Sequence, residues 1–204
     1  MQTNIVLSIK NSPTAIPYPA SDRGDTPHQG FKPLKGRPKD VAAIPAVQES
    51  EALKLALAKI NDSSTPFFTV ACKKVLNNRA GKFWTRGYLE FAINYPELAL
   101  ESPNYYLLFE QFNRHVHDAN LDLPVDFNFE LQPTEFRGKK ASGYTACVWI
   151  TTAEFPNDEG AHKIWNMSVS FLADFLKSFE KPDLPAIYEP PKVRKGRQAK
   201  TSNG

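Results

Sequence analysis

The sequence predicts an α+β domain, a four-stranded antiparallel sheet with helices packed on one face. Three observations carry this expectation. Four apolar or alternating runs of strand length lie at 67–76, 82–93, 124–132 and 143–153. Three segments near 50–61, 102–120 and 160–179 repeat apolar residues at helical spacing. After the first helix the order is ββα twice over, and short turns inside each ββ pair close antiparallel hairpins.

The first helix starts after Ser50, a side chain suited to accept from the free N–H groups of a first turn. Leu53, Leu57 and Ile60 recur along one stripe, and Asn61-Asp62-Ser63-Ser64 before Pro66 ends it. The run from Phe67 to Leu76 is followed by Asn77-Asn78-Arg79-Ala80-Gly81, which has turn chemistry. Residues 82–93 are rich in aromatic and β-branched side chains and complete a hairpin with a basic tip. Ser102-Pro103 places serine and proline where a helix begins, with Tyr105, Leu108, Phe109, Phe112 and Val116 as its apolar stripe.

Alternation is cleanest in the third strand. Val125, Phe127, Phe129 and Leu131 share one face, and Asp126, Asn128, Glu130 and Gln132 the other. A turn around Phe136–Lys140 leads into the fourth strand. The last helix carries Ile164, Trp165, Ser168, Leu172, Phe175, Leu176 and Phe179 on its stripe, and Pro182 and Pro185 stop it. The hairpin tips Ala80-Gly81-Lys82 and Arg137-Gly138-Lys139 are alike in outline, without a residue-level repeat between the halves.

Proline and charge divide the chain. Residues 1–47 hold seven of the seventeen prolines and a net charge of +3, and residues 181–204 hold four prolines and +4. The segment 48–180 has six prolines and a net charge of −4. The expectation is one α+β domain over 48–180, an extended proline-rich basic arm before it and a flexible basic tail after it. Within the arm, Ile5–Ile9 has the composition of a short strand that docks on the domain or on a partner. Basic arms favour polyanions.

Strand parity then nominates a surface. With the helices on one side, Trp84, Arg86 and Tyr88 of the second strand and Trp149 of the fourth point to the other side. The first strand adds Lys73, together with Phe67, Thr69 and Ala71, if Phe68, Val70 and Cys72 face the core. Rings beside cations on a sheet suit single-stranded nucleic acid, because bases stack on rings and cations meet phosphates. Arg79 and Lys82 at one tip and Arg137, Lys139 and Lys140 at the other extend the expected track. Asp126 and Glu130 oppose it.

Lys35-Gly36-Arg37-Pro38-Lys39 resembles an AT-hook core, with lysine where that family has arginine. The resemblance implies an extended segment in which Lys35, Arg37 and Lys39 lie in a narrow minor groove. Arg194, Lys195 and Arg197 in the C-terminal tail add possible phosphate contacts. His115-Val116-His117 resembles the paired-histidine metal motif of HUH-type replication and relaxase endonucleases, which implies a divalent metal and a tyrosine nucleophile. That family carries the pair on a strand. Here it closes a predicted helix, where i and i+2 diverge by about 200°. Asp126 and Glu130 share a face but lack the lysine of a nuclease carboxylate motif.

Cys72 and Cys147 are isolated in strand-like runs, which points to reduced thiols and a cytoplasmic location rather than a disulfide framework or zinc site. The first residues lack the charged n-region of a signal peptide, and no apolar run has membrane-spanning length. No phosphate-loop glycine motif occurs, and no cofactor or metal is implied. The expected function is a non-enzymatic nucleic-acid-binding protein of low sequence specificity. The alternative is a protein-interaction module or homo-oligomer that uses the same aromatic face and proline-rich arms. A metal-dependent nuclease carries the least weight.

Overall fold

The computed structural model describes residues 3–21 and 29–188. Its elements in order are β1 (Asn4–Ile9), β2 (Thr14–Ile16), α1 (Glu51–Ile60), β3 (Phe67–Arg79), β4 (Lys82–Ile93), α2 (Pro96–Ala99), α3 (Ser102–Asp118), β5 (Val125–Phe136), β6 (Ala141–Thr152) and α4 (Asp158–Lys177). Short 3-10 turns occupy Pro38–Ala43, Pro45–Val47 and Arg137–Lys139.

Local chemistry accounts for most boundaries. Ser50 caps α1 by accepting from the Leu53 N–H, and Asn157 caps α4 by accepting from Gly160 N–H. In the first hairpin Arg79 pairs with Lys82, and Ala80 and Gly81 both have positive φ, at 52° and 76°. Only two residues make this turn, so β3 runs on through Asn77 and Asn78, which the sequence had placed in the loop. In α3 the capping position is Glu101, with Ser102 and Pro103 inside the first turn.

The fold is mixed α and β, as expected, but the sheet has six strands rather than four. Across the sheet the order is β1-β5-β6-β4-β3, with β2 pairing the far end of β5. β1 and β2 run parallel to β5, while the other neighbours are antiparallel. The physical reason lies in β5. Twelve residues of edge strand would leave a row of backbone donors and acceptors without partners, and the N-terminal segment supplies them. Ile5–Ile9 docks on the domain as a strand, one of the two outcomes expected of it, while the rest of that segment was expected as an extended arm. Instead Ile16, Leu34, Val41 and Val47 are buried in the main core.

Helices α3 and α4 cover one face, and α1 packs on α4 beside β3. The core between them is aromatic: Phe112 meets Phe127 edge-to-face at 5.2 Å, Phe109 meets Phe129 at 5.8 Å, and Phe91 meets Phe129 at 6.2 Å. Trp165 of α4 lies directly against β4 at Gly87. A Cβ there would run into the Lys73 carbonyl oxygen and stand 2.8 Å from the Trp165 ring. No side chain fits between that indole and the strand.

A β-bulge at Val70 sets which residues of β3 face outward. Register shifts between Thr69 and Ala71, so Phe67 and Thr69 pair with the helix-facing Ile93 and Phe91, while Phe68 faces the other side. This reverses the expected parity of 67–69. Ala71 and Lys73 keep the outward direction the sequence assigned them.

Gly87→Ala is expected to destabilise by about 1–3 kcal/mol through overpacking against the Lys73 carbonyl and the Trp165 ring. Thermal unfolding checks this at about 2–4 °C per kcal/mol. Gly138→Ala, with nothing near the added methyl, serves as the neutral control. Equal melting temperatures for the two variants would contradict the packing described.

Candidate functional site

The outward sheet face is ordered in rows that follow from the strand register. One row runs Asp126, Thr151, Arg86, Val75. The next runs Asn128, Trp149, Tyr88, Lys73, and the third Glu130, Cys147, Glu90, Ala71. Rows two residues apart along a strand are separated by about 7 Å. Along β4 the face is therefore graded, from Arg86 through Tyr88 to Glu90, with Asp126 at the β5 end of the first row and Lys73 at the β3 end of the second.

In the ring row, Tyr88 and Trp149 have centroids 4.7 Å apart at 54°. The Arg86 guanidinium lies over the Trp149 ring at 4.7 Å, a cation–π contact that keeps both groups oriented. Arg86 is exposed, and Tyr88, Trp149 and Lys73 are half-buried. Trp84, two residues before Arg86 on the same side of β4, is also half-buried, with Arg79 at 5.9 Å from its ring.

The structure brings Trp84, Arg86, Tyr88, Trp149, Lys73, Arg79 and Lys82 to one end of the sheet. At the tip, Arg79 and Lys82 both pair with Glu154, at 3.4 and 3.3 Å, on the surface. Arg137, Lys139 and Lys140 sit at the opposite end, because β6 begins where β4 finishes. The two basic tips therefore do not flank one short track. Between them stand Glu90 and Glu130.

The AT-hook resemblance does not survive the geometry. Lys35 is 4% exposed, and its ammonium donates to the carbonyls of Asp62, Thr65 and Phe67 and to the Thr65 hydroxyl at 2.6–2.7 Å. Gly36 turns at φ 68°, and a 3-10 turn starts at Pro38, so the segment is folded rather than extended. Arg37 and Lys39 are exposed on that turn. Arg194, Lys195 and Arg197 lie outside the described residues. The paired histidines also part: His115 stacks on Phe171 at 4.8 Å, whereas His117 is exposed beside Asp118.

What the sequence pattern missed is the cover over half of this face. Tyr18 reaches across to donate its hydroxyl to the Val70 carbonyl at the bulge, and Phe31 N–H bonds back to the Tyr18 carbonyl. Between this segment and the sheet lies an open groove of about 1240 Å³. Its lining includes Tyr18, Tyr88, Trp149, Glu90, Glu130 and Lys10. Glu90 is 8% exposed, and its Oε1 accepts from the Thr145 hydroxyl at 2.7 Å. Burial raises the Glu90 pKa. The Thr145 hydrogen bond and Lys10 oppose the rise, and Glu130 adds to it. Burial and then the nearby Glu90 push the Tyr18 phenol up to about 12. The strand parity of Glu90 was readable in the sequence, but its burial depends on a segment more than fifty residues away.

No family model, no curated protein and no solved structure matches this chain. Among the described residues, no group of three or more His, Cys, Asp or Glu side chains could hold a metal ion, and no helix is long and apolar enough to cross a membrane.

A raised carboxyl pKa means the folded state holds the Glu90 proton more tightly than the unfolded state. Its contribution to stability is full below the ordinary value of 4.5 and is lost as pH rises through the folded value. Glu90→Gln keeps an oxygen for Thr145 and removes the buried charge. It is expected to raise the melting temperature at pH 8 and leave it near wild type at pH 4. Thermal unfolding across that range checks the sign, and a variant that melts lower at pH 8 would contradict it.

Proposed function

We propose that the chain binds short stretches of single-stranded nucleic acid over the open end of its outer sheet face. The observation that carries this reading is the Arg86–Trp149–Tyr88 stack with Lys73 in the same neighbourhood. Two half-buried rings offer faces for bases, and the two cations meet the adjoining phosphates. The carboxylate row limits the contact to one or two bases, in place of the long track between hairpin tips that the sequence suggested.

Backbone charge and ring stacking carry no base code, so sequence preference is low. With Arg79 at the hairpin tip as a third cation beside Arg86 and Lys73, affinity falls with salt along a logarithmic slope of about −2. A second reading has one specific observation in its favour. Val6 and Ile9 of the edge strand β1 are 55% and 56% exposed, an apolar border suited to a protein partner or a second copy.

Titration with a fluorescently labelled deoxythymidine oligonucleotide tests the proposal. Trp149→Ala is expected to weaken binding by about 1–3 kcal/mol per lost stack, and Arg86→Ala to flatten the salt slope. Absence of binding by the wild type at low salt would overturn the nucleic-acid reading and leave the protein-interaction one.

A further inference from the structure

The groove beside the ring row has a chemistry opposite to that of the Arg86 end. Its floor is the row Glu130, Cys147, Glu90. Two strand spacings separate the carboxylate-bearing residues by about 10 Å at the backbone. Glu90 is buried, and among the described residues its hydrogen-bond partner is the Thr145 hydroxyl, on Oε1. Among the described residues, no ion pair joins Glu90 or Glu130 to a cation. Lys10 lines the same groove without closing that distance.

A buried carboxylate that feels Lys10 only at a distance, with no ion pair among the described residues, has lost its hydration and recovered little in return. Here it opens into a groove roomy enough for a ligand, and three aromatic side chains share the lining: Tyr88, Trp149 and Tyr18. Tyr88 and Trp149 stand together one row from Glu90. Tyr18 faces them from the segment that covers the sheet. Electron-rich ring faces around a carboxylate are the arrangement that recognises an organic cation, since both attract positive charge and the rings also accept its methylene groups.

We propose that this groove is a binding site for a small molecule bearing an alkylammonium head, with Glu90 as its counter-charge and Tyr88 and Trp149 as its ring wall. Glu130 supplies a second carboxylate along the floor, which favours ligands with a further amine or hydroxyl. The site goes beyond the nucleic-acid reading: the two share the rings of Tyr88 and Trp149 and differ in the charged residues they use. A strand bound over Arg86 and an amine bound over Glu90 would meet at Trp149.

The test uses the full chain and n-butylammonium as the probe, with 1-butanol as its neutral counterpart, followed by backbone amide NMR and calorimetry. The expected result is saturable binding of the amine with a dissociation constant on the order of 1 mM, with shifts at Glu90, Cys147 and Trp149 and none of comparable size from the alcohol. Glu90→Gln is expected to weaken the amine by about tenfold, the loss of a charge-assisted contact. Glu130→Gln, a second variant in case the first perturbs folding, is expected to weaken it less. Arg79→Ala, whose contacts are with Trp84 and Glu154 rather than with the groove, leaves amine binding intact while flattening the salt slope of oligonucleotide binding, so the two proposals fail separately. No saturable shift with the wild type, equal shifts from amine and alcohol, or undiminished binding by both carboxamide variants would overturn the site.

Discussion

The arrangement depends on one buried cation. Lys35 carries its ammonium into the gap between the end of α1 and the start of β3, where it serves four oxygens from Asp62, Thr65 and Phe67. Burial pulls its pKa down to about 7. The four contacts weigh for the protonated form, because a neutral amine has only two hydrogens to offer and an ammonium has three. The carbonyl end of α1 adds its own preference for positive charge. This fixes residues 29–47 against the domain, and with them the cover over the outer sheet face.

A second local irregularity works with the first. The bulge at Val70 turns Phe68 outward, where it packs with Tyr188 at 4.9 Å and Phe31 at 6.3 Å. The same bulge presents the Val70 carbonyl to the Tyr18 hydroxyl. One extra residue in an edge strand thus provides both an apolar seat and a polar hook for the covering segment. The face is split as a result: Arg86 and the rings stay open, and the carboxylate row lies under cover. A uniformly open face would have presented a continuous strip from one basic tip to the other. The covered one separates an anion-facing end from a cation-facing groove.

Legibility in the sequence followed the range of the interactions involved. The hairpins, the helix start at Ser50 and the alternation of β5 are set by neighbours within a few residues, and they were readable; the last helix starts at Asp158, two residues before the expected 160. So were the outward directions of Trp84, Arg86, Tyr88 and Trp149, since β4 and β6 keep a two-residue period without interruption. The parity of Phe67–Thr69 was not, because a bulge carries no fixed residue signature in a run of apolar side chains. The role of the first 47 residues was hidden for a different reason. Proline spacing argues against long regular structure, and it is right about that: β2 has three residues between Pro13 and Pro17. Three residues suffice when the partner strand is already formed. Lys35 inside a basic proline-rich stretch read as a groove-binding charge of an AT-hook-like segment, and the carbonyls of Asp62, Thr65 and Phe67 reveal its use.

Lys35→Met tests this account most directly, by chemical denaturation together with hydrogen exchange at Phe31 and Gly36, whose amides bond to Tyr18 and Asn61. Removing the ammonium strands three carbonyls in the interior. The account predicts a loss on the order of 3 kcal/mol or more and rapid exchange at both amides, with Tyr18 released from the sheet. A variant as stable as the wild type, with both amides still protected, would contradict it.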